Sequence, residues 1–289
     1  MPSTLTPPPA EATWVAGQPK AVHHRLPDGV YVPTLCFFTE HDEVDLNVLE
    51  RHLVRLINAG VAGIVVHGSN GEVAHLTREE RAAVIRCAAD TIHQEGHDVR
   101  IPLIAGCGAQ STRETLQLCR DAAKSGASHA LMLPPSYYGG LLDDDKIVDY
   151  FHDVADQSPL PLLIYNFPGA AAGRDLSSDV ILRIAAHPNV VGVKLTCGNT
   201  GKLARVAADA PEGTGRLLEA RRLQAMAAKC DWVAIRTGFV GVKAAIGHFE
   251  GYGGEPRRPC VAPTPQELKG IVEGMAELRR EEAALESEA

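Results

Sequence analysis

A lysine stands inside the apolar stretch VVGVKLTCGN, and its position suggests amine chemistry. Lys194 lies among valines, a glycine and a leucine, although lysine is among the residues least often fully buried without a partner. Burial disfavours a charged ammonium, and a neutral amine is a nucleophile that can form a Schiff base with a carbonyl substrate. The alternative is a lysine at a strand end whose amine extends to solvent. The stretch alone supports both interpretations about equally.

Three other stretches place polar side chains directly after predicted strands. These side chains are Ser69, Asn70 and Glu72 in GSNGE, Tyr137 and Tyr138 in PPSYYGG, and Tyr165 in IYNFP. A tyrosine can relay a proton, and a Ser-Asn-Gly turn offers backbone N–H groups that suit a carboxylate. Each feature also has an ordinary explanation, as a packing tyrosine or a simple turn. The functional interpretation depends on all of them meeting at one edge of the fold.

The elements that must position these residues alternate between short β-rich runs and longer runs with helical spacing. The predicted strands are GVYVPTLCFF, AGIVVHG, RIPLIAGC, HALMLPP, PLLIYNFP and VVGVKLT. Six strand–helix units of this kind predict parallel strands with crossover helices. Several helices open with Ser, Thr or Asp as an N-cap. Ser111 and Glu114 have the spacing of a capping box.

Two architectures fit this alternation, an open doubly wound sheet and a closed barrel. The open nucleotide-binding sheet would carry G-x-G-x-x-G after its first strand, where this chain has no glycine. After the third strand only Gly106 and Gly108 are present, which is a weak match. A barrel is therefore favoured, and its active site would lie at the carboxyl ends of the strands.

Side-chain alternation along the sixth strand predicts which residues face the barrel interior. Lys194 would point inward with Gly192 and Thr196. The opposite face would pack on helices and carries Val191, Val193 and Leu195.

The pattern changes after the sixth strand, because helical runs follow one another with no β-rich run between them. We therefore predict a leader over residues 1–27, barrel units one to six over 28–210, and a C-terminal helical region over 211–289. An eight-stranded barrel needs two more units than this chain provides, so strands seven and eight are expected to be missing. The missing strands would close the barrel, and their loss would leave open sheet edges.

Four motifs occur in the order and with the separations of one enzyme family: GSNGE (68–72), PPSYYGG (134–140), YNFP (165–168) and GVKLT (192–196). The chain thus resembles the pyruvate-dependent class I aldolases and lyases, which include dihydrodipicolinate synthase, N-acetylneuraminate lyase, 4-hydroxy-2-oxoglutarate aldolase and 2-keto-3-deoxy sugar-acid aldolases. The resemblance covers roughly residues 29–210 and resumes near 238–259. It implies an α/β fold, a (β/α)8 TIM barrel of the class I aldolase type, here lacking two βα units and ending in C-terminal helices.

The resemblance implies a role for each matching residue. Lys194 would form the Schiff base with the 2-oxo carbon of pyruvate or its adduct. Tyr165 would donate and accept protons at the substrate oxygen, and Ser69 would pass protons onward. The pyruvate carboxylate would bind at the turn that contains Gly68, Ser69 and Asn70.

The resemblance also implies partners and cofactors. Tyr138 would reach into the site of a neighbouring subunit, so a homo-oligomer is expected, either a dimer or a tetramer. Neither a metal nor a diffusible cofactor is expected, because the iminium on Lys194 would serve as the electron sink. The substrate would be a small 2-oxo acid.

The stretch YNFPGAAAGRDL bears on the substrate. Dihydrodipicolinate synthases place an arginine shortly after this proline, whereas Gly-Ala-Ala-Ala follows here and Arg174 lies further on. We therefore expect a retro-aldol enzyme that cleaves a 2-oxo (hydroxy) acid to pyruvate and an aldehyde of unspecified identity, with its activity impaired by the internal deletion of the two βα units. The alternatives are a synthase-like condensation of pyruvate with an aldehyde, a catalytically silent shortened isoform, and a different barrel enzyme in which Lys194 only pairs with a carboxylate.

Composition argues against several other classes. The formal net charge of -8 disfavours a nucleic-acid surface, and no apolar run approaches the length of a membrane span. The seven cysteines form no C-x-x-C pair, which disfavours zinc-ribbon and thioredoxin-like sites. His93 and His97 have metal-pair spacing on a helix but no third ligand nearby. The leader contains Glu11 and no arginine before Arg25, unlike a transit peptide, so the cytoplasm is the predicted location.

Overall fold

The computed structural model describes residues 26–97, 101–208 and 217–288, and there the predicted alternation of strands and helices is confirmed. The elements are β1 (Tyr31–Pro33), α1 (Leu46–Asn58), β2 (Gly63–Val66), α2 (Arg78–Gln94), β3 (Leu103–Gly106), α3 (Thr112–Lys124), β4 (His129–Met132), α4 (Asp144–Gln157), β5 (Leu162–Asn166), α5 (Ser178–Ala185), β6 (Val190–Leu195), α6 (Thr200–Ala208), α7 (Leu217–Glu250) and α8 (Pro265–Glu288). Most of the predicted leader, residues 1–25, lies outside the described residues. So do residues 209–216, which contain the predicted boundary between the barrel units and the C-terminal helical region.

Helices α1 to α5 each begin after a polar residue whose side chain accepts a backbone N–H bond from the first turn. The full capping box lies at the start of α2, where Thr77 and Glu80 each accept the other's backbone N–H. At the start of α3 only half of the predicted box is present. Ser111 accepts from the N–H of Glu114 at 3.2 Å, but among the described contacts the Ser111 N–H does not donate to the Glu114 carboxylate.

The sheet contains six parallel strands in the order β1-β2-β3-β4-β5-β6. Alternate side chains of strands β2 to β5 enter two different apolar clusters. The outer cluster lies between the sheet and helices, with Ile64 and Leu162 fully buried in it. The inner cluster lies on the opposite face of the sheet and consists of Val65, Ile104, Leu131, Leu163 and Tyr165. Helices therefore cover the outer face, as a parallel βα repeat requires.

An irregularity in the β5–β6 ladder changes which way one residue of β6 points. The register shifts between Leu162 and Leu163. Val193 and Leu195 pack against the outer cluster as predicted, but Val191 packs with the inner cluster. The prediction that Val191 packs on helices is therefore wrong, because a bulge interrupts the strict alternation of side chains.

Within the described residues the sheet ends at β1 on one side and at β6 on the other, and no pairing joins these two strands. The described chain that follows β6 is helical. Gly238 interrupts α7 with φ 59° and ψ -163°, which divides that element into two helical parts. None of the helices in the described ranges has both the length and the apolarity needed to cross a membrane.

The C-terminal helices pack on each other and on the start of the fold. Val233 and Ala245 of α7 are buried with Ile271 of α8. An ion pair of 2.9 Å joins Arg55 of α1 to Glu250 at the end of α7. The C-terminal region is thus attached to α1, at the β1 edge of the sheet.

Two buried histidines should make the fold sensitive to acid. Burial, followed by the nearby charge of Arg55, lowers the pKa of His52 to about 4. Burial, followed by Arg81, lowers the pKa of His67 to about 3. Unfolded histidine has a pKa near 6.5, so their contribution to stability is complete above about pH 6.5 and is lost as the pH falls toward 4. Denaturant titrations at pH 7 and pH 4.5 should show a loss of about 5 kcal/mol for the two histidines together.

A His67→Gln variant isolates this effect. Both ring nitrogens of His67 lack a hydrogen-bond partner in the described structure, so the substitution removes the titrating group without breaking a bond. The variant should lose less stability between the two pH values than the parent chain. His41→Gln is the matched control, because the His41 side chain is 81% exposed. Equal acid losses in the parent and the His67→Gln variant would contradict the assignment.

Candidate active site

Strands β5 and β6 bring Lys194 beside Tyr165. The two residues are register partners across the ladder, and the amine nitrogen Nζ lies 4.4 Å from the centre of the Tyr165 ring. Tyr165 is 5% exposed within the inner cluster. Its ring stacks on Phe167 with the ring centroids 5.7 Å apart. Two of the four predicted catalytic residues therefore lie together at the carboxyl ends of adjacent strands.

The environment of the Lys194 amine is set by its place on the last described strand. The side chain is partly buried, and the amine lies over the face of the Tyr165 ring, a contact that attracts a cation. In the described structure no hydrogen bond joins this amine to the phenol oxygen. A substrate bound to Nζ through its carbonyl carbon would lie next to the same aromatic side chain. The phenol of Tyr165 could then exchange a proton with that substrate.

The turn after β2 presents two adjacent N–H groups. Its internal bonds run from the N–H of Gly71 to the oxygen of Gly68 (3.1 Å) and from the N–H of Glu72 to the oxygen of Ser69 (3.2 Å). In the part of the chain that the structure describes, the N–H groups and side chains of Ser69 and Asn70 have no hydrogen-bond partner. Successive N–H groups in a turn form a concavity that binds anions, so this turn could hold a carboxylate.

The structure places this turn at the same rim as Lys194 and Tyr165 but on another part of the sheet. All six strands are parallel, so their carboxyl ends share one edge. Strands β3 and β4 lie between β2 and β5. Ser69 and Asn70 would therefore approach a substrate on Lys194 from a different direction than Tyr165.

The two tyrosines after β4 extend away from their own chain. Tyr137 is 79% exposed and Tyr138 is 63% exposed, and their rings contact each other edge to face at 5.0 Å. Leu141, which follows in the same segment, is 72% exposed. An exposed apolar group of this kind is typical of an interaction surface. Tyr138 does not join Lys194 and Tyr165 within this chain.

Arg174 is held in the backbone of the segment after β4. Its guanidinium donates to the carbonyl oxygen of Gly139 at 3.0 Å and to that of Leu142. It also lies 4.0 Å from the carboxylate of Asp144. Through these bonds, the Arg174 side chain stabilises the segment that follows Tyr137 and Tyr138.

A buried ion pair lies near the β2 turn and joins two residues that are distant in the sequence. Glu72 Oε1 accepts from Lys243 Nζ at 2.6 Å, and both side chains are at most 1% exposed. Both residues lie in conspicuous motifs, Glu72 in GSNGE and Lys243 in the apolar helix GVKAAIGHF. The lysine within this apolar helical run could have indicated a buried ion pair, because a buried lysine requires a partner.

The described ranges contain no cluster of three or more His, Cys, Asp or Glu side chains suited to a metal ion. His93 lies on α2, and His97 follows the end of that helix.

Comparison with known proteins identifies the relatives of this arrangement. A sequence profile described as the dihydrodipicolinate synthetase family matches residues 26–218. The chain belongs to this family. The family match includes β1 to β6 and therefore every residue of the candidate site.

Curated relatives within the family align with this chain over nearly their whole length. A protein of Emericella nidulans named "probable 4-hydroxy-2-oxoglutarate aldolase, mitochondrial" is 45% identical, covering 91% of this chain and 98% of the relative. The L-threo-3-deoxy-hexylosonate aldolase of Hypocrea jecorina is 37% identical over 90% of this chain and 98% of its own length.

Solved structures of the family share the fold. A dihydrodipicolinate synthase family protein from Coccidioides immitis superposes with a TM-score of 0.78 and 32% identity, covering 91% of this chain and 100% of the other. The 4-hydroxy-tetrahydrodipicolinate synthase of Methylacidiphilum fumariolicum SolV superposes with a TM-score of 0.79 at 24% identity, covering 90% and 98% of the two chains.

Proposed function

We propose that this chain is a class I aldolase that cleaves a 2-oxo (hydroxy) acid to pyruvate and an aldehyde through a Schiff base on Lys194. The observation that carries this proposal is the contact between the Lys194 amine and the buried ring of Tyr165. Family membership supports it, and so do the aldolase names of the relatives at 45% and 37% identity.

The chemistry assigned to these residues proceeds in balanced steps. The Lys194 amine adds to the 2-oxo carbon and water leaves, which gives a protonated imine. Tyr165 takes the proton of the C4 hydroxyl while the C3–C4 bond breaks, and the electron pair of that bond moves into the imine. The aldehyde departs and leaves an enamine. Protonation of C3 and hydrolysis of the imine then release pyruvate and the free lysine.

The turn of Gly68, Ser69 and Asn70 is assigned to the pyruvate carboxylate. Its two N–H groups without protein partners support this assignment, because an anion would satisfy both of them. Ser69 would pass protons between Tyr165 and the medium. No metal or diffusible cofactor is required by this mechanism, since the protonated imine supplies the electron sink. Turnover should therefore be unchanged by a chelator.

The engagement of Arg174 favours cleavage over a synthase-like condensation. An arginine that binds a second substrate carboxylate must have a free guanidinium, and that of Arg174 already donates to two backbone oxygens. The relatives whose names specify 4-hydroxy-2-oxoglutarate or a 3-deoxy-hexylosonate define two candidate substrate classes.

Trapping with borohydride tests the proposed function directly. Incubation with pyruvate and borohydride should add one reduced pyruvyl group to the protein, located at Lys194 by peptide mass analysis. A panel of 4-hydroxy-2-oxoglutarate and 3-deoxy-2-oxo sugar acids should then identify the compound from which pyruvate is released. Absence of any adduct on Lys194 would contradict the proposal and would favour the alternative of a catalytically silent isoform.

The missing strands seven and eight are part of this proposal. Support comes from the alignment with the Emericella relative, which extends over 305 positions while taking in only 91% of these 289 residues. The relative therefore contains residues that have no counterpart here. The family match also ends at residue 218, close to the place where the two units would be absent. Without them, β1 and β6 would keep open edges.

Restoring these units should raise both stability and activity. A chimera would carry the relative's extra segment between α6 and α7, and its melting temperature should rise by about 5 °C or more, with faster adduct formation on Lys194. An insertion of equal length made of Gly and Ser is the control and should give neither gain. A chimera indistinguishable from the parent in both measurements would show that the chain is already closed in another way.

Two further predictions concern assembly and location. The exposed Tyr137, Tyr138 and Leu141 segment supports a homo-oligomer in which Tyr138 reaches a neighbouring site, and the oligomer's mass in solution would test this.

The cytoplasmic location stays a prediction, and the relative at 45% identity carries "mitochondrial" in its name.

A further inference from the structure

The turn that is assigned to the substrate carboxylate ends at a residue with an unusual backbone. Glu72 adopts φ 52°, in the left-handed region. Residues other than glycine adopt this backbone conformation only when their surroundings hold them there. At the preceding residue, Gly71, a Cβ would make a tight contact of 3.2 Å with the Thr34 carbonyl oxygen. The shape of the Ser69–Asn70 turn therefore depends on what holds Glu72.

The Glu72 carboxylate is held chiefly by the C-terminal part of the chain. Lys243 of α7 donates to its Oε1 at 2.6 Å, and the backbone N–H of Arg257 donates to its Oε2 at 3.0 Å. His75 Nδ1 lies 3.2 Å from Oε2. Lys243 is itself fixed by a bond of 3.0 Å to the carbonyl oxygen of Glu255. Two of the contacts to Glu72 thus come from residues more than 170 positions away along the chain.

The side chain of Arg257 extends this connection along the same rim. Its guanidinium donates to both carboxylate oxygens of Glu80, at 2.7 and 3.0 Å, and to a carboxylate oxygen of Asp42 at 2.9 Å. The ring of Phe38 has Lys243 at 4.6 Å and Arg257 at 4.3 Å from its centre. A multiply bonded charge cluster with a buried ion pair at its centre is rigid, so it fixes Glu72 with respect to α7.

From this geometry we propose that the Glu72–Lys243 ion pair positions the Ser69–Asn70 turn, so that helix α7 sets how strongly the site binds the carboxylate of its substrate. The inference rests on the proposed function, in which that turn binds pyruvate. Glu72 and Lys243 act as positioning residues through the turn. Helix α7 follows the place where strands seven and eight are expected to be missing, so this contact ties the region beyond the gap to the carboxylate site.

The test compares a charged with a neutral ketone. In Lys243→Met the buried carboxylate loses its cation, and the turn should lose its geometry. The pyruvate concentration for half-maximal borohydride trapping should rise about tenfold or more, whereas that for methyl pyruvate, which lacks the carboxylate charge, should stay near the parent value. The double variant Glu72→Gln with Lys243→Met removes both charges and should recover part of the pyruvate affinity.

Lys202→Met is the matched control. Lys202 is also a buried lysine in an ion pair, with Asp175, but it belongs to α6 and does not contact the turn. It should leave the ratio of the two half-maximal concentrations unchanged. An equal loss for both ketones in Lys243→Met, or an unchanged ratio, would overturn the inference. If Lys243→Met does not fold, the isosteric Glu72→Gln variant is measured in the same way.

The outcome separates this inference from the proposed function. A parent chain that forms no adduct with either ketone would overturn the aldolase proposal. Hydrogen exchange at residues 68–72 would then decide the positioning role by itself. Faster exchange of this turn in Lys243→Met than in Lys202→Met would support it, and equal exchange in the two variants would contradict it.

Discussion

Replacing Lys194 with arginine is expected to abolish the borohydride-trapped adduct and to lower aldol cleavage on the order of 10³-fold or more. Arginine keeps the charge and nearly the length of the side chain, but its guanidinium stays protonated and cannot form an imine. The contact with the Tyr165 ring can persist, because arginine also stacks on aromatic faces. The measurements are peptide mass after trapping and the initial rate of pyruvate release.

The matched control for this substitution is Lys202→Arg. Lys202 is 3% exposed and paired with Asp175, so the same exchange is made at a lysine that is not proposed to react with the substrate. Its adduct and turnover should remain those of the parent chain. A Lys194→Arg protein that kept full turnover would show that this lysine only pairs with a carboxylate, and a different barrel chemistry would have to be considered.

Replacing Tyr165 with phenylalanine should separate binding of the ketone from cleavage. The ring is retained, so its packing in the inner cluster and its stacking on Phe167 should survive. The adduct on Lys194 should still form with pyruvate, whereas cleavage of the C3–C4 bond should fall about 10² to 10⁴-fold, the usual contribution of a positioned proton donor and acceptor. Trapping yield and single-turnover cleavage would be measured on the same preparation.

Tyr150→Phe serves as the control for loss of a buried phenol. Tyr150 is 7% exposed, and its hydroxyl bonds with Thr115 at 2.7 Å, away from the β5–β6 ladder. The variant should lose some stability and retain the ratio of cleavage to trapping. If Tyr165→Phe cleaves as fast as its parent, the proton must be carried by another group.

Much of the candidate site could be predicted from local sequence, for a physical reason. The parallel βα repeat places every strand's carboxyl end at one rim, so residues that follow predicted strands are brought to the same edge whatever the details of packing. Lys194 and Tyr165 are found together for this reason. The turn of Ser69 and Asn70 also lies at this rim, although the exposed Tyr138 does not approach them within the chain.

The buried charge cluster could not be predicted in the same way. Glu72 and Lys243 are ordinary members of their local motifs, and nothing in the spacing of either motif indicates the other. Their pairing depends on how α7 returns across the start of the sheet, which is a long-range packing result. The predicted orientation of the Val191 side chain was wrong for a related reason. A register shift arises from the pairing of two strands, so neither strand's own sequence indicates it.

The amino-acid sequence by itself determined the order of strands and helices, the parallel sheet and the residues at its functional rim. It did so because hydrophobic periodicity and helix caps act over a few neighbouring positions. Tertiary structure alone decided that the Lys194 amine lies over the Tyr165 ring, that Arg174 is held by backbone oxygens, and that Lys243 neutralises Glu72. These contacts join segments far apart in the chain, so only the folded arrangement of the layers brings them within bonding distance.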